Sequence, residues 1–134
     1  MKGFQGYVTS RPFQGQRVPQ HVQNLVIREY CHARGLTYLL SGTEYAIPGS
    51  SLVLQQLLDG LEQLDGIVAY SLFQLPESPQ KRLKIYDQVF AQKKSLHFAV
   101  ETLILQSVED CQQIEDIWGV FQVMQHVPNV QDYI

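Results

Sequence analysis

Cysteine is scarce in this chain: Cys31 and Cys111 are the only two in 134 residues. They lie far apart, each on a stretch of helical pattern, and neither has a second cysteine nearby. That excludes a zinc knuckle and leaves reduced, structural thiols as the expectation. Charge is sparse as well, at 17%, with 10 Lys and Arg against 13 Asp and Glu. A net charge of −3 lacks the basic excess with which general nucleic-acid binders collect phosphates, although a local basic patch stays open. No apolar run approaches the roughly 20 residues of a membrane span, and Met1-Lys2-Gly3-Phe4-Gln5 is no signal peptide. The expectation is therefore a soluble, cytoplasmic protein with no membrane insertion. His21, His32, His97 and His126 are too scattered for a metal box, so neither metal nor cofactor is expected.

What the chain does have is a 45% hydrophobic content in an alternating order, enough for one domain over residues 1–134. Strand-length apolar runs at 3–9, 36–40, 66–70 and 96–100 alternate with amphipathic stretches of helical period. This is the pattern of repeated βα units: a three-layer α/β sandwich around a mainly parallel sheet of four to five strands. The first helix starts near Pro19, stops near Gly35, and turns Val22, Leu25, Val26 and Tyr30 inward. A second is capped by Ser50 or Ser51, after a breaker-rich loop at 41–49, with Leu54, Leu57, Leu58, Leu61 and Leu64 inward. The third opens at Ser78-Pro79 and packs Leu83, Tyr86, Val89 and Phe90, while Lys81, Arg82 and Lys84 read as a solvated basic face. Ser107 and Asp110 form a capping box for a last helix over about 108–126.

A parallel sheet gathers the carboxyl ends of its strands on one edge. Ser10 and Arg11, Glu44 and Tyr45, Ser71 and Gln74, and Glu101 are expected to converge there, with Arg17, Gln20 and His21 close by. Such a set suits a small anionic or sugar-like ligand, with Arg11 as a bidentate anion clamp and Ser10 or Glu44 as nucleophile or base. The plainer reading of the same residues is that Ser10 caps a turn, Arg11 pairs with Glu44, and the others are loop polars.

Gly6-Tyr7-Val8-Thr9-Ser10, Glu44 to Gly49 and Leu54-Gln55-Gln56-Leu57-Leu58 resemble the first strand, acidic loop and second helix of the serine recombinase catalytic domain. The resemblance covers about residues 6–101 and implies a resolvase-like, flavodoxin-like fold. Arg11 follows Ser10 where the family's arginine precedes the serine, and Leu52 stands near the place of another arginine. Beyond the third strand, Phe73 replaces an aspartate and Gln74 and Glu77 replace two arginines. Phosphodiester exchange needs clustered positive charge, so strand exchange is not expected. With 134 residues, no helix-turn-helix domain is expected either.

Ser10-Arg11-Pro12, Val18-Pro19-Gln20-His21-Val22-Gln23-Asn24, Glu44-Tyr45, Tyr70-Ser71-Leu72 and Leu96-His97-Phe98 are similar to the sporadic carbohydrate cluster proteins of bacterial surface-sugar biosynthesis loci. That similarity implies an accessory binding or assembly role in such a pathway. An enzyme acting on a sugar phosphate or nucleotide sugar through Ser10, Arg11 and Glu44 is the alternative, and a DNA-binding recombinase relative the third. Recombinase domains dimerise through the helix after their last strand. The wide apolar arc of Ile114, Ile117, Trp118, Phe121 and Met124, with Val120 and Val123 beyond it, accordingly predicts a homodimer centred on Trp118.

Overall fold

Gly66-Ile67-Val68-Ala69 is buried at all four positions in a computed structural model of the protein, as a strand covered on both faces requires. The structure describes residues 2–45 and 51–126. Five strands form one sheet: β1 (Phe4–Thr9), β2 (Tyr38–Glu44), β3 (Gly66–Ala69), β4 (Ser95–Phe98) and β5 (Leu103–Leu105). Their order is β2-β1-β3-β4-β5, with the first four parallel and β5 folded back antiparallel on β4. The helices are α1 (Gln20–Ala33), α2 (Leu52–Asp59), α3 (Pro79–Ala91) and α4 (Val108–His126). Strand alternation divides the core. Val8 and Val68 pack with Ile27, Tyr30 and Cys31 of α1, whereas Tyr7, Ile67, Leu96 and Phe98 belong to the larger cluster built from α2, α3 and α4. The expected three-layer α/β fold is the one found.

Several local expectations are corrected. The buried residues of α1 are Gln23, Ile27, Tyr30 and Cys31, and Leu25 is exposed. A polar side chain, Gln23, occupies the inward stripe and turns the helix away from the face that hydrophobicity alone selects. β2 runs on through Ser41-Gly42-Thr43-Glu44, because Gly42, Thr43 and Glu44 pair with Tyr7, Val8 and Thr9. Gly42 is there for close approach, since a Cβ on it would lie 2.9 Å from Val53 Cγ1 of α2. The expected turn at 46–49 and Ser50 lie outside the described residues. Ser51 takes the N-cap position of α2 without a side-chain hydrogen bond. The Ser107–Asp110 box is present, with Asp110 Oδ2 accepting from the Ser107 N–H at 3.1 Å.

Arg82, expected on a solvated face, is among the largest fully buried side chains, and Leu83 beside it is exposed. Its guanidinium donates to Glu115 through Nε at 2.8 Å and Nη2 at 2.9 Å. Nη1 donates to the carbonyls of Pro76 at 3.0 Å and Glu77 at 2.8 Å. The cation also sits 4.4 Å above the Trp118 ring. Burial raises the Glu115 carboxyl, but hydrogen bonds from Arg82 and Tyr86 together with the Arg82 charge outweigh it and hold the group below its ordinary value. Trp118, expected at the centre of an interface between copies, is 2% exposed within the single chain. It packs edge-on against Phe73 and Phe121 at centroid distances of 5.2 and 6.0 Å.

On the opposite face, His97 is buried between Tyr30, whose hydroxyl lies 2.7 Å from Nδ1, and Ser95, whose hydroxyl lies 3.0 Å from Nε2. Desolvation, with the nearby Arg34 charge, pushes its pKa down to about 4. The unfolded state then takes up a proton near pH 6.5 that the folded state refuses. Stability is accordingly steady above pH 6.5 and falls as pH drops toward 4, by on the order of 3 kcal/mol. Urea midpoints are expected to decline between pH 7 and 4.5 in the native protein and to stay nearly flat in His97→Gln.

Candidate functional site at the carboxyl edge of the sheet

Thr9 ends β1 buried, paired with Glu44 of β2 on one side but, past Tyr7 and Ala69, with no strand partner on the β3 side. Gln23 supplies one from α1. Its Oε1 accepts from the Thr9 N–H at 3.1 Å while its Nε2 donates to the Thr9 carbonyl at 2.7 Å and to the Val18 carbonyl at 2.8 Å. Gln74, on the short 3-10 turn Leu72–Gln74 after β3, joins the same network. Its Nε2 donates to Gln23 Oε1 at 2.8 Å and to Thr9 Oγ1 at 3.0 Å, and its Oε1 accepts from the Ser71 N–H at 3.1 Å. Gln23 is 0% and Gln74 2% exposed, so the two amides fill the edge between β1 and β3 with neutral, mutually satisfied groups.

Around this plug the expected site residues divide. Ser10 is half-buried and its N–H donates to the Glu44 carbonyl at 2.9 Å, which brings the ends of β1 and β2 together. Glu44 is buried at 2% exposure. Its carboxylate accepts from Tyr7 Oη at 3.1 Å, from the Val53 N–H at 3.1 Å and from the Leu54 N–H at 3.3 Å. The carboxylate thus closes the N-terminus of α2, the task that a serine was expected to perform. Burial, and then the Glu44 charge, push the Tyr7 hydroxyl far above its ordinary value, with Arg11 pulling the other way. Arg11 is half-buried, and its Nη2 donates to the Gln74 carbonyl at 3.2 Å. Ser71 Oγ donates to Glu101 at 2.7 Å, and the same carboxylate accepts from the Leu72 N–H at 2.9 Å.

Arg17, Gln20 and His21 stay apart from this set, exposed around the start of α1. His21 lines a separate groove with Arg28, Tyr38 and Leu40. Tyr45 is 67% exposed just past β2. Gln23, the hub of the edge, was not among the expected site residues. Its signal was available as a polar residue four before Ile27 and eight before Cys31, on the helix face that the sheet covers.

A cleft of about 360 Å³ opens beside the plug, between the 11–14 loop, the 75–78 loop and α4. Arg11 and Lys81 line it together with Phe73, Trp118 and Phe121. Of the residues expected to form one site, Arg11 is the one on this cleft. Among the described residues, no group of three or more His, Cys, Asp and Glu is placed to hold a metal ion. No described helix is long and apolar enough to cross a membrane.

Replacing Gln23 with Ala removes the partner of the Thr9 backbone and of the Gln74 amide at once. A loss of about 2–4 kcal/mol is expected. Gln20→Ala, exposed on the same helix, should stay within about 0.5 kcal/mol. Urea denaturation of the two variants measures the difference.

No protein-family model matches the chain, and no curated protein matches it. Among solved structures it is similar to the N-terminal catalytic domain of TP901-1 integrase, at 19% identity and a TM-score of 0.60, over 91% of this chain and 96% of that one. That domain belongs to a serine recombinase. At this identity the likeness concerns the fold, and the fold is resolvase-like.

Proposed function

We propose that the chain is a binding or assembly protein of bacterial surface-carbohydrate biosynthesis, carried on a recombinase-like fold that performs no DNA strand exchange. The observation that carries the second half is the buried amide pair. Gln74 lies between Thr9 and Gln23, within hydrogen-bonding distance of both, where phosphodiester chemistry calls for clustered cations. Phe73 is committed to an aromatic cluster with Trp118 and Phe121, and Glu77 adds negative charge beside it. The carbohydrate assignment is supported by the phrases at Ser10-Arg11-Pro12, 18–24, 44–45, 70–72 and 96–98.

The ligand in this reading is small and anionic or sugar-like, and Arg11 is its clamp. An enzyme working through Ser10, Arg11 and Glu44 is the second reading, favoured by the closeness of Ser10 to Glu44 at the ends of β1 and β2. Against it, both Glu44 oxygens already accept hydrogen bonds from the α2 backbone. The acidic total supports the absence of a specific nucleic-acid partner. A homodimer is proposed through the outer face of α4, where Val120, Val123 and Met124 are 60%, 63% and 68% exposed.

Incubation with supercoiled plasmid is expected to yield no nicked product and no covalent Ser10 adduct on a denaturing gel. Trapping of such an adduct overturns the reading. In a thermal-shift screen, a sugar phosphate or nucleotide sugar should raise the melting temperature of the native protein. Arg11→Ala should lose that rise with its own unliganded melting temperature little changed. For assembly, light scattering at micromolar concentration should report a dimer that Val123→Asp converts to monomer. A native monomer mass removes the α4 interface.

A further inference from the structure

The sheet order β2-β1-β3-β4-β5 makes β1 and β3 the pair from which the chain winds off in opposite directions. In open α/β sheets that reversal leaves a crevice beyond the carboxyl ends of the two strands, and ligands bind in it. Here the Gln23–Gln74 pair fills the point of reversal itself, and the cleft described above opens beside it. One side is the segment directly after β1, Arg11 to Gln14, and the other is the segment after β3, Phe73 to Ser78, with α4 closing the end.

Its chemistry is divided. Arg11 and Lys81 supply two cations, Lys81 from the first turns of α3 and fully in reach of solvent. Phe73 and Phe121, both half-buried, add aromatic lining backed by the buried Trp118, the three rings packed at centroid distances of 4.8 to 6.0 Å. Phe13 joins the lining from the β1 side. Trp118 also carries the one buried side-chain polar atom that lacks a hydrogen-bond partner among the described residues, its indole Nε1. Glu77, also on the cleft, is a carboxylate that accepts from a hydroxyl and repels surplus anionic charge.

We infer that this cleft binds a nucleoside phosphate, the phosphate between Arg11 and Lys81, the base against the Phe73, Trp118 and Phe121 surface, and a ribose hydroxyl toward Glu77. A planar heteroaromatic base provides the flat apolar face that the ring cluster accepts. The guanidinium and ammonium match a phosphate in charge and geometry. This deepens the binding role proposed above and rests on it for the presence of a small-molecule site at this edge.

Trp118 is the only tryptophan of the chain, so its emission reads the cleft directly. Titration of the native protein with UMP and with AMP is expected to change that emission saturably for at least one of them. Uridine, adenosine, ribose 5-phosphate and inorganic phosphate should each bind at least about tenfold more weakly, since each lacks the phosphate or the base. Lys81→Ala, at an exposed position, should weaken nucleotide binding about tenfold with an unchanged melting temperature. Phe121→Ala should weaken nucleotide binding and leave the response to ribose 5-phosphate as it was. If ribose 5-phosphate or another sugar phosphate binds as tightly as either nucleotide, or if Lys81→Ala binds like the native protein, the nucleotide assignment falls and the general binding role stands. If none of these compounds alters either the emission or the melting temperature, both fall.

Discussion

An arginine that is 1% exposed needs partners for its charge, and the pairing of Arg82, with four hydrogen bonds, is the constraint from which the cleft side of the molecule is built. Glu115 fixes the rotation of α4 on α3 by taking two of the donors in parallel, and the carbonyls of Pro76 and Glu77 fix the loop that precedes α3. The cation lies over the indole of Trp118, so the position of that ring follows from the same contact. Phe73 and Phe121 then pack on Trp118. One buried charge thus holds a loop, two helices and an aromatic cluster in register, and removing Glu115 would strand the Arg82 cation in a medium that cannot solvate it.

At the carboxyl edge the balance is different. Its buried polar groups are neutral amides or carboxylates closed onto backbone N–H groups, and each serves the fold. Gln23 stands in for a missing strand at Thr9, Glu44 caps α2, and Glu101 caps the turn after β3. The fold is recombinase-like, and its polar residues hold the ends of the strands together. The open cleft lies to the side of that sealed edge, which is why the residues most suited to contact a ligand come from the loops and α4.

The fold was legible because it rests on apolar periodicity: β1, β3, β4 and the inward leucines of α2 follow directly from it. β5 was not identified, since three residues carry too little pattern to separate a strand from a connector. The site was legible only as a place. Ser71, Gln74 and Glu101 do stand at the edge, but whether a carboxylate such as Glu44 is free for chemistry depends on which N–H groups reach it from α2, and spacing along the chain does not report that. Arg82 misled for a similar reason. Its neighbours Lys81 and Lys84 are exposed, and its partner is supplied from α4, distant in sequence.

The topology also sets an order of assembly. Of the five strands β1 is made first, yet it occupies the middle of the sheet, paired with β2 on one side and β3 on the other. After α1 and β2 have emerged, one flank of β1 can close through a local crossover, while the flank at Phe4 to Tyr7 waits for Gly66 to Ala69. Until then the nascent chain carries an open, apolar strand edge, the kind of surface on which incomplete chains pair with one another and chaperones act. Once β3 docks, β4 and β5 add outward one after the other, each beside the strand made just before it, and the short β5 leaves little edge exposed on that side of the sheet.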